Sequence, residues 1–178
     1  MLSSRTLPTK KTLTLILVLN SFFGFSQTAN DSLINHIKIA EKILITSHEQ
    51  LNLTTQKAGR TKTEVRTLLK NGKPNKKIIK EQIQLNLQLK EELIGIISNQ
   101  KTDSIWNGAY CFWPHHTIFI YKQKKWSYID LCFGCDRYSY SKDLQINKAA
   151  FLVTYEDWRK LETFFRSQKL NYEMPKRN

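Results

Sequence analysis

Most of the common catalytic signatures are missing from this sequence. It has no glycine-rich phosphate loop, no G-x-S-x-G and no H-E-x-x-H. The usual nucleotide, serine-hydrolase and zinc-protease chemistries therefore lack their sequence warrant. There is no internal repeat and no long low-complexity linker, which argues against a solenoid or a tethered array. Acidic residues are few, 15 against 28 lysines and arginines, so the chain carries a net charge of +13. Long apolar runs are equally scarce. Leu13–Phe23 stands alone in that respect, and it is too short to span a bilayer comfortably.

That apolar run follows Arg5, Lys10 and Lys11 and precedes Gly24-Phe25-Ser26, a small-x-small pattern. Residues 1–26 thus read as a signal peptide, with the mature chain starting at Gln27 and no transmembrane segment left after cleavage. No cysteine lies near the cleavage site, which argues against lipoprotein anchoring. The expected location is outside the cytoplasm, periplasmic or secreted. Removing the leader takes three basic residues and no acidic ones, so the net charge falls from +13 to +10. In that compartment nucleic acid is a poor partner. An anionic envelope surface or a protein partner fits better, and a basic surface that is simply solvated is the plainer reading.

Residues 27–178 are long enough for one α+β domain with a modest core. Within 27–60 a helix is expected, capped by Asp31 or Ser32, with Leu33, Ile37, Ala40, Leu44 and Leu51 on one stripe. His36 and His48 fall off or at the edge of that stripe and read as surface or boundary residues. Residues 61–170 supply the sheet and further helices. Val65–Leu69 and Ile78–Leu89 flank Asn71-Gly72, the strongest short hairpin signal. A strand is expected to about Asn86, then a helix over Gln88–Ser98 with Leu89, Leu93 and Ile96 inward. Lys70, Lys73, Lys76 and Lys77 would form an exposed tip, read as protection of a sheet edge. Asp136–Gln145 allows a short third strand. Thr154 is expected to cap a last helix, with Asp157 at its third position and Trp158, Leu161 and Phe165 facing the sheet. Residues 171–178 read as a loose tail.

What is present is concentrated in Ala109–Arg137. This stretch holds all three cysteines, two of the four histidines and two of the four tryptophans. Ile118–Tyr121 and Trp126–Phe133 read as the strands of a β-hairpin around the polar link Lys122–Lys125. A two-residue loop at Gln123-Lys124 places His115 opposite Cys132 and Thr117 opposite Asp130. A longer loop slips the register by one and places His116 opposite Cys132. The fold expected is an antiparallel sheet built on this central hairpin, with helices packed on one face.

Four chemistries compete for Cys111, His115, His116, Cys132 and Cys135. Two cysteines can form a structural disulfide, as an oxidising compartment favours. Three thiolates and an imidazole suit tetrahedral zinc, and soft thiolates also suit Cu(I). Cys132-Phe133-Gly134-Cys135 is a redox-type C-x-x-C, although Asp136–Tyr140 does not look like the helix that usually follows one. A cysteine nucleophile with a histidine base and Asp130 as its orienter is the fourth. Cys111 is expected within disulfide or metal-ligand reach of Cys132 or Cys135. The best reading is a non-catalytic envelope or secreted module using a disulfide or a zinc or copper site, with a thiol enzyme as the alternative.

Cys111-Phe-Trp-Pro114-His115-His116 and Ile129-Asp-Leu-Cys132-Phe-Gly-Cys135 resemble a motif of small exported proteins and lipoproteins of Gram-negative bacteria. That motif is C-x-x-P-[RH]-H, a strand pair, then I-x-I-C-F-x-C. The resemblance extends over Leu89 to Leu170. It implies that the stretch behaves as one unit and assigns no activity. It also favours His116 over His115, whose position more often holds arginine, and with it the longer hairpin loop.

Overall fold

A computed structural model describes residues 31–57, 60–100, 109–148 and 151–176. The expected leader lies outside the described residues. The centre of the molecule is the hairpin of β7 (His116–Lys122) and β8 (Lys125–Cys132). Gln123 and Lys124 link the strands, both at positive φ (49° and 63°), as a tight two-residue hairpin turn demands. The register pairs Lys122 with Lys125, Thr117 with Asp130 and His116 with Leu131. The shorter loop is therefore the one formed, and the longer-loop register that placed His116 opposite Cys132 is not. The reason is local: two residues in the left-handed region close the turn with the right-handed twist that the strands need.

Around this hairpin a five-stranded antiparallel sheet is ordered β6-β1-β7-β8-β9. Strand β1 (Lys42–His48) pairs with β7, setting Ile43 against Ile120 and Ile45 against Ile118. Strands β6 (Ile79–Gln84) and β9 (Arg137–Tyr140) form the edges. Helices α1 (Asp31–Lys38), α2 (Leu87–Ser98) and α3 (Tyr155–Ser167) pack Leu33, Ile37, Leu93, Ile97, Leu161 and Phe165 onto one face of the sheet. The fold is thus α+β with helices on one face. Beneath the other face, Phe119, Tyr128 and Leu44 pack against Leu51, Leu68 and Ile78.

Two expectations within this frame are corrected. The N-terminal helix does not run to residue 60; it ends at Lys38, and Ile43–Ser47 is a central strand buried on both faces. Leu44 and Leu51 matched a helical stripe by coincidence: Leu44 lies in β1, Leu51 lies beyond its end, and both pack in the cluster on the sheet face opposite the helices. The Asn71-Gly72 turn does form, with φ of 51° and 70°, but its strands β4 (Leu69–Lys70) and β5 (Lys73–Pro74) are two residues each. Val65 instead ends β3 (Arg60–Val65), which pairs with β2 (Asn52–Lys57), while β6 pairs with β1. The β1–β6 register skips Lys80, so Ile83 joins the helix-side core and Ile79 the opposite cluster. Lys70, Lys73, Lys76 and Lys77 are exposed, as the tip reading requires.

Helix α3 opens with a reciprocal cap. Thr154 Oγ1 accepts from the Asp157 N–H at 3.1 Å, and Asp157 Oδ2 accepts from the Thr154 N–H at 3.2 Å. Helix α2 is capped by Asn86 Oδ1, which accepts from the Leu89 N–H at 2.9 Å. Its buried side is Leu93, Ile94 and Ile97, with Leu89 and Ile96 half-buried beside them. The tail is not loose over its described length. Arg166 donates to the Pro175 carbonyl at 2.6 Å, the Tyr172 N–H donates to Glu81 at 3.0 Å, and Met174 packs on the core. Its charge and proline content concealed these three anchors. No helix among the described residues is long and apolar enough to cross a membrane.

Candidate functional site

The hairpin's open end carries the cysteines because β8 stops at Cys132 and a tight turn leads into β9. Cys135 N–H donates back to the Cys132 carbonyl at 3.2 Å. Cys132 and Cys135 form a disulfide with Cα atoms 5.4 Å apart, inside the range such a bond needs. Both are almost fully buried. The turn is fixed to helix α3 through Asp136, which pairs with the Arg159 guanidinium. Arg159 also pairs with Glu162, which binds Arg166 at 2.6 Å. Burial raises the Glu162 carboxyl above its ordinary range, and the Arg166 charge works against that rise.

The third cysteine arrives from the strand-less segment before β7. The Ala109 N–H donates to the Cys135 carbonyl at 2.9 Å, which sets the segment across the end of the sheet. Cys111, an exposed free thiol, consequently places its Sγ 3.0 Å from Cys135 Sγ. The expectation for Cys111 is met on the Cys135 side. A cavity of about 300 Å³ opens here, lined by the three cysteines, Trp113, His115, His116, Phe133, Glu173 and Pro175.

The two histidines diverge. His115 is half-buried and its Nδ1 lies 3.0 Å from the His48 carbonyl. A carbonyl only accepts, so Nδ1 donates in this contact. His116 is 1% exposed, with its ring 5.0 Å from Phe133 and 5.7 Å from Phe165. Burial, aided by the nearby His48, His115 and Arg166, pushes its pKa down to about 3. It is a neutral ring in an aromatic wall, and its buried Nε2 has no hydrogen-bond partner.

No family model matches this chain, and neither does any curated protein or solved structure. Among the described residues, no group of three or more His, Cys, Asp or Glu side chains is placed to hold a metal ion. The zinc or copper set of Cys111, His115, His116, Cys132 and Cys135 is therefore not assembled. Two of its sulfurs are joined to each other, and His116 is packed among phenylalanines rather than turned to a shared point with them.

Asp130, named as the orienter in the nucleophile reading, is engaged by a histidine outside the cysteine cluster. Asp130 is held by His48, a residue the helical reading of 27–60 had placed at a surface boundary. His48 is fully buried, its Nε2 3.0 Å from Asp130 Oδ1 and its Nδ1 2.8 Å from the Glu49 carbonyl. Thr117 Oγ1 donates to the same Oδ1 at 3.0 Å. Both nitrogens of His48 face oxygen acceptors, so the ring has none to spare as a base. Nor is His48 among the residues lining the cysteine cavity. The pairing of Thr117 with Asp130 was legible in the hairpin register. A buried carboxylate there called for a counter-group, and that was the signal pointing to His48.

Proposed function

We propose that this protein is an exported thiol–disulfide exchange protein whose working centre is Cys111, Cys132 and Cys135. The observation that carries the proposal is the 3.0 Å contact of an exposed free thiol with one sulfur of a buried disulfide. Exchange proceeds by attack of a thiolate on a disulfide sulfur, and that contact supplies the encounter. The Cys111 thiolate, having lost its proton to solvent, attacks Cys135 Sγ. The Cys111–Cys135 bond forms, the Cys132–Cys135 bond breaks, and Cys132 leaves as a thiolate that takes up a proton. The disulfide thereby moves from two buried residues to an exposed one. A substrate thiolate can then attack Cys111 Sγ, releasing Cys135. A second substrate thiol resolves the mixed disulfide and frees Cys111. In one turnover the protein disulfide becomes two thiols and the substrate dithiol becomes a disulfide, so two electrons and two protons balance.

Two further points support this reading. A disulfide across three positions of sequence restrains the unfolded chain less than one closing a long loop, so stabilisation is a weak reason for it. An exported location would also keep such a bond available for exchange. A purely structural disulfide is the competing reading, favoured by the burial of Cys132 and Cys135. Mass spectrometry of acid-quenched, proteolysed oxidised protein separates the two. Exchange predicts both the Cys132–Cys135 and the Cys111–Cys135 linkages, with one thiol distributed between Cys111 and Cys132. A single linkage that survives a glutathione redox buffer, with Cys111 inert, overturns the proposal.

A further inference from the structure

Resting on the exchange reading, we infer that Tyr110–Trp113 is a docking strand for an extended segment of another polypeptide, one carrying a cysteine between apolar residues. Three observations converge on this segment. Its aromatic side chains face solvent: Tyr110 is fully exposed, Trp113 is 56% exposed and Phe112 is 39% exposed. These three flank Cys111 in sequence. Large apolar groups held in water beside a reactive atom mark an interaction surface.

The backbone gives the second observation. The segment is tied at its ends, by the Ala109 N–H to the Cys135 carbonyl and by the His115 N–H to the Leu131 carbonyl at 3.3 Å. Between those ties, the main-chain groups of Cys111, Phe112 and Trp113 hydrogen-bond to no other backbone group among the described residues. Open donors and acceptors on a fixed stretch of chain are what an added strand needs.

The third observation is that successive side chains fall on different sides. Cys111 and Trp113 line the cysteine cavity, while Phe112 lines a second cavity of about 330 Å³ beside Tyr128 and Asp130. Alternate side chains of a docked strand would meet these two hollows in turn. The thiol then selects the occupant. Directly opposed residues of paired strands have Cα atoms roughly 4.5–5.5 Å apart. A disulfide needs roughly 4.4–6.8 Å. A cysteine paired opposite Cys111 therefore arrives within bonding reach, whereas a small thiol uses neither the aromatic groups nor the open backbone. Attack by that cysteine's thiolate on Cys111 Sγ forms the mixed disulfide and expels Cys135 as the thiolate.

The test separates docking from exchange. The probe for docking is a labelled apolar peptide with serine at its centre, titrated into Cys111→Ser protein and followed by fluorescence anisotropy. Saturable binding is expected, at least about tenfold weaker in Phe112→Ser/Trp113→Ser. Comparable weakening is expected for an N-methylated peptide, a comparison that leaves the protein unchanged. Absence of saturable binding, or binding indifferent to both changes, overturns the inference. The same peptide with cysteine at its centre, added to oxidised wild-type protein, is expected to be trapped on Cys111. Serine-peptide binding without trapping of the cysteine peptide would uphold docking and sink exchange. Glutathione exchange without peptide binding would do the reverse.

Discussion

The polar residues with the largest energetic consequence are buried in the sheet, away from the thiol. His48 and Asp130 are both almost fully buried and hydrogen-bonded, and Thr117 completes the carboxylate's partners. Removing one member leaves the other without compensation in a low-dielectric setting. Asp130→Ala is expected to cost about 3–5 kcal/mol in urea unfolding, and a value within error of wild type would refute the pairing. His116 gives a pH-dependent counterpart. Its pKa falls from the ordinary histidine value of 6.5 to about 3 on folding, chiefly through burial. Between those values the unfolded chain binds the proton and the folded chain does not. Its contribution to stability is therefore intact above pH 6.5 and declines as the pH falls, by up to about 1.4 kcal/mol per pH unit. Urea unfolding between pH 7 and pH 4 should show this slope in wild type and a shallower one in His116→Leu.

Two elements carry local devices whose worth can be measured. Helix α3 depends on the reciprocal Thr154–Asp157 cap, and both residues are buried. Thr154→Ala should cost about 1 kcal/mol, within a range of roughly 0.5–2. The β7–β8 turn works in the opposite direction. Gln123 and Lys124 are held at positive φ, a conformation that Asn-Gly adopts with less strain. Replacing the pair by Asn-Gly should raise the unfolding free energy by about 1 kcal/mol. An unchanged midpoint would mean the turn is not strained in solution.

At the scale of the molecule, positive charge is the dominant feature. Lys70, Lys73, Lys76 and Lys77 are exposed around the β4–β5 tip, and the chain beyond residue 26 carries +10. Self-repulsion of this kind is screened over about 10 Å at 0.1 M salt. Thermal unfolding is therefore expected at a higher midpoint in 0.5 M than in 0.02 M sodium chloride. Replacing the four tip lysines by glutamine should reduce that salt response. An unchanged response would place the repulsion elsewhere.

Short-range chemistry was legible in the sequence by itself. The central hairpin, the Asn71-Gly72 turn, the α3 cap and the strand-to-helix change near Asn86 each depend on residues only a few positions apart, whereas the sequence left the length of the hairpin link open. Propensity, turn geometry and capping act at that range. The proximity of Cys111 to Cys135 also followed, because a hairpin end and a short lead-in segment leave little room for another course. Only the tertiary structure decided that residues 42–48 form the strand between β6 and β7. That choice rests on burying apolar side chains on both faces, and no local pattern distinguishes a doubly buried strand from a buried helix. The His48–Asp130 bond, spanning 82 positions, and the confinement of His116 among Phe133 and Phe165 follow from that same placement. Local sequence proposed the central hairpin's strands; the order of strands in the sheet determined which polar groups lost contact with water.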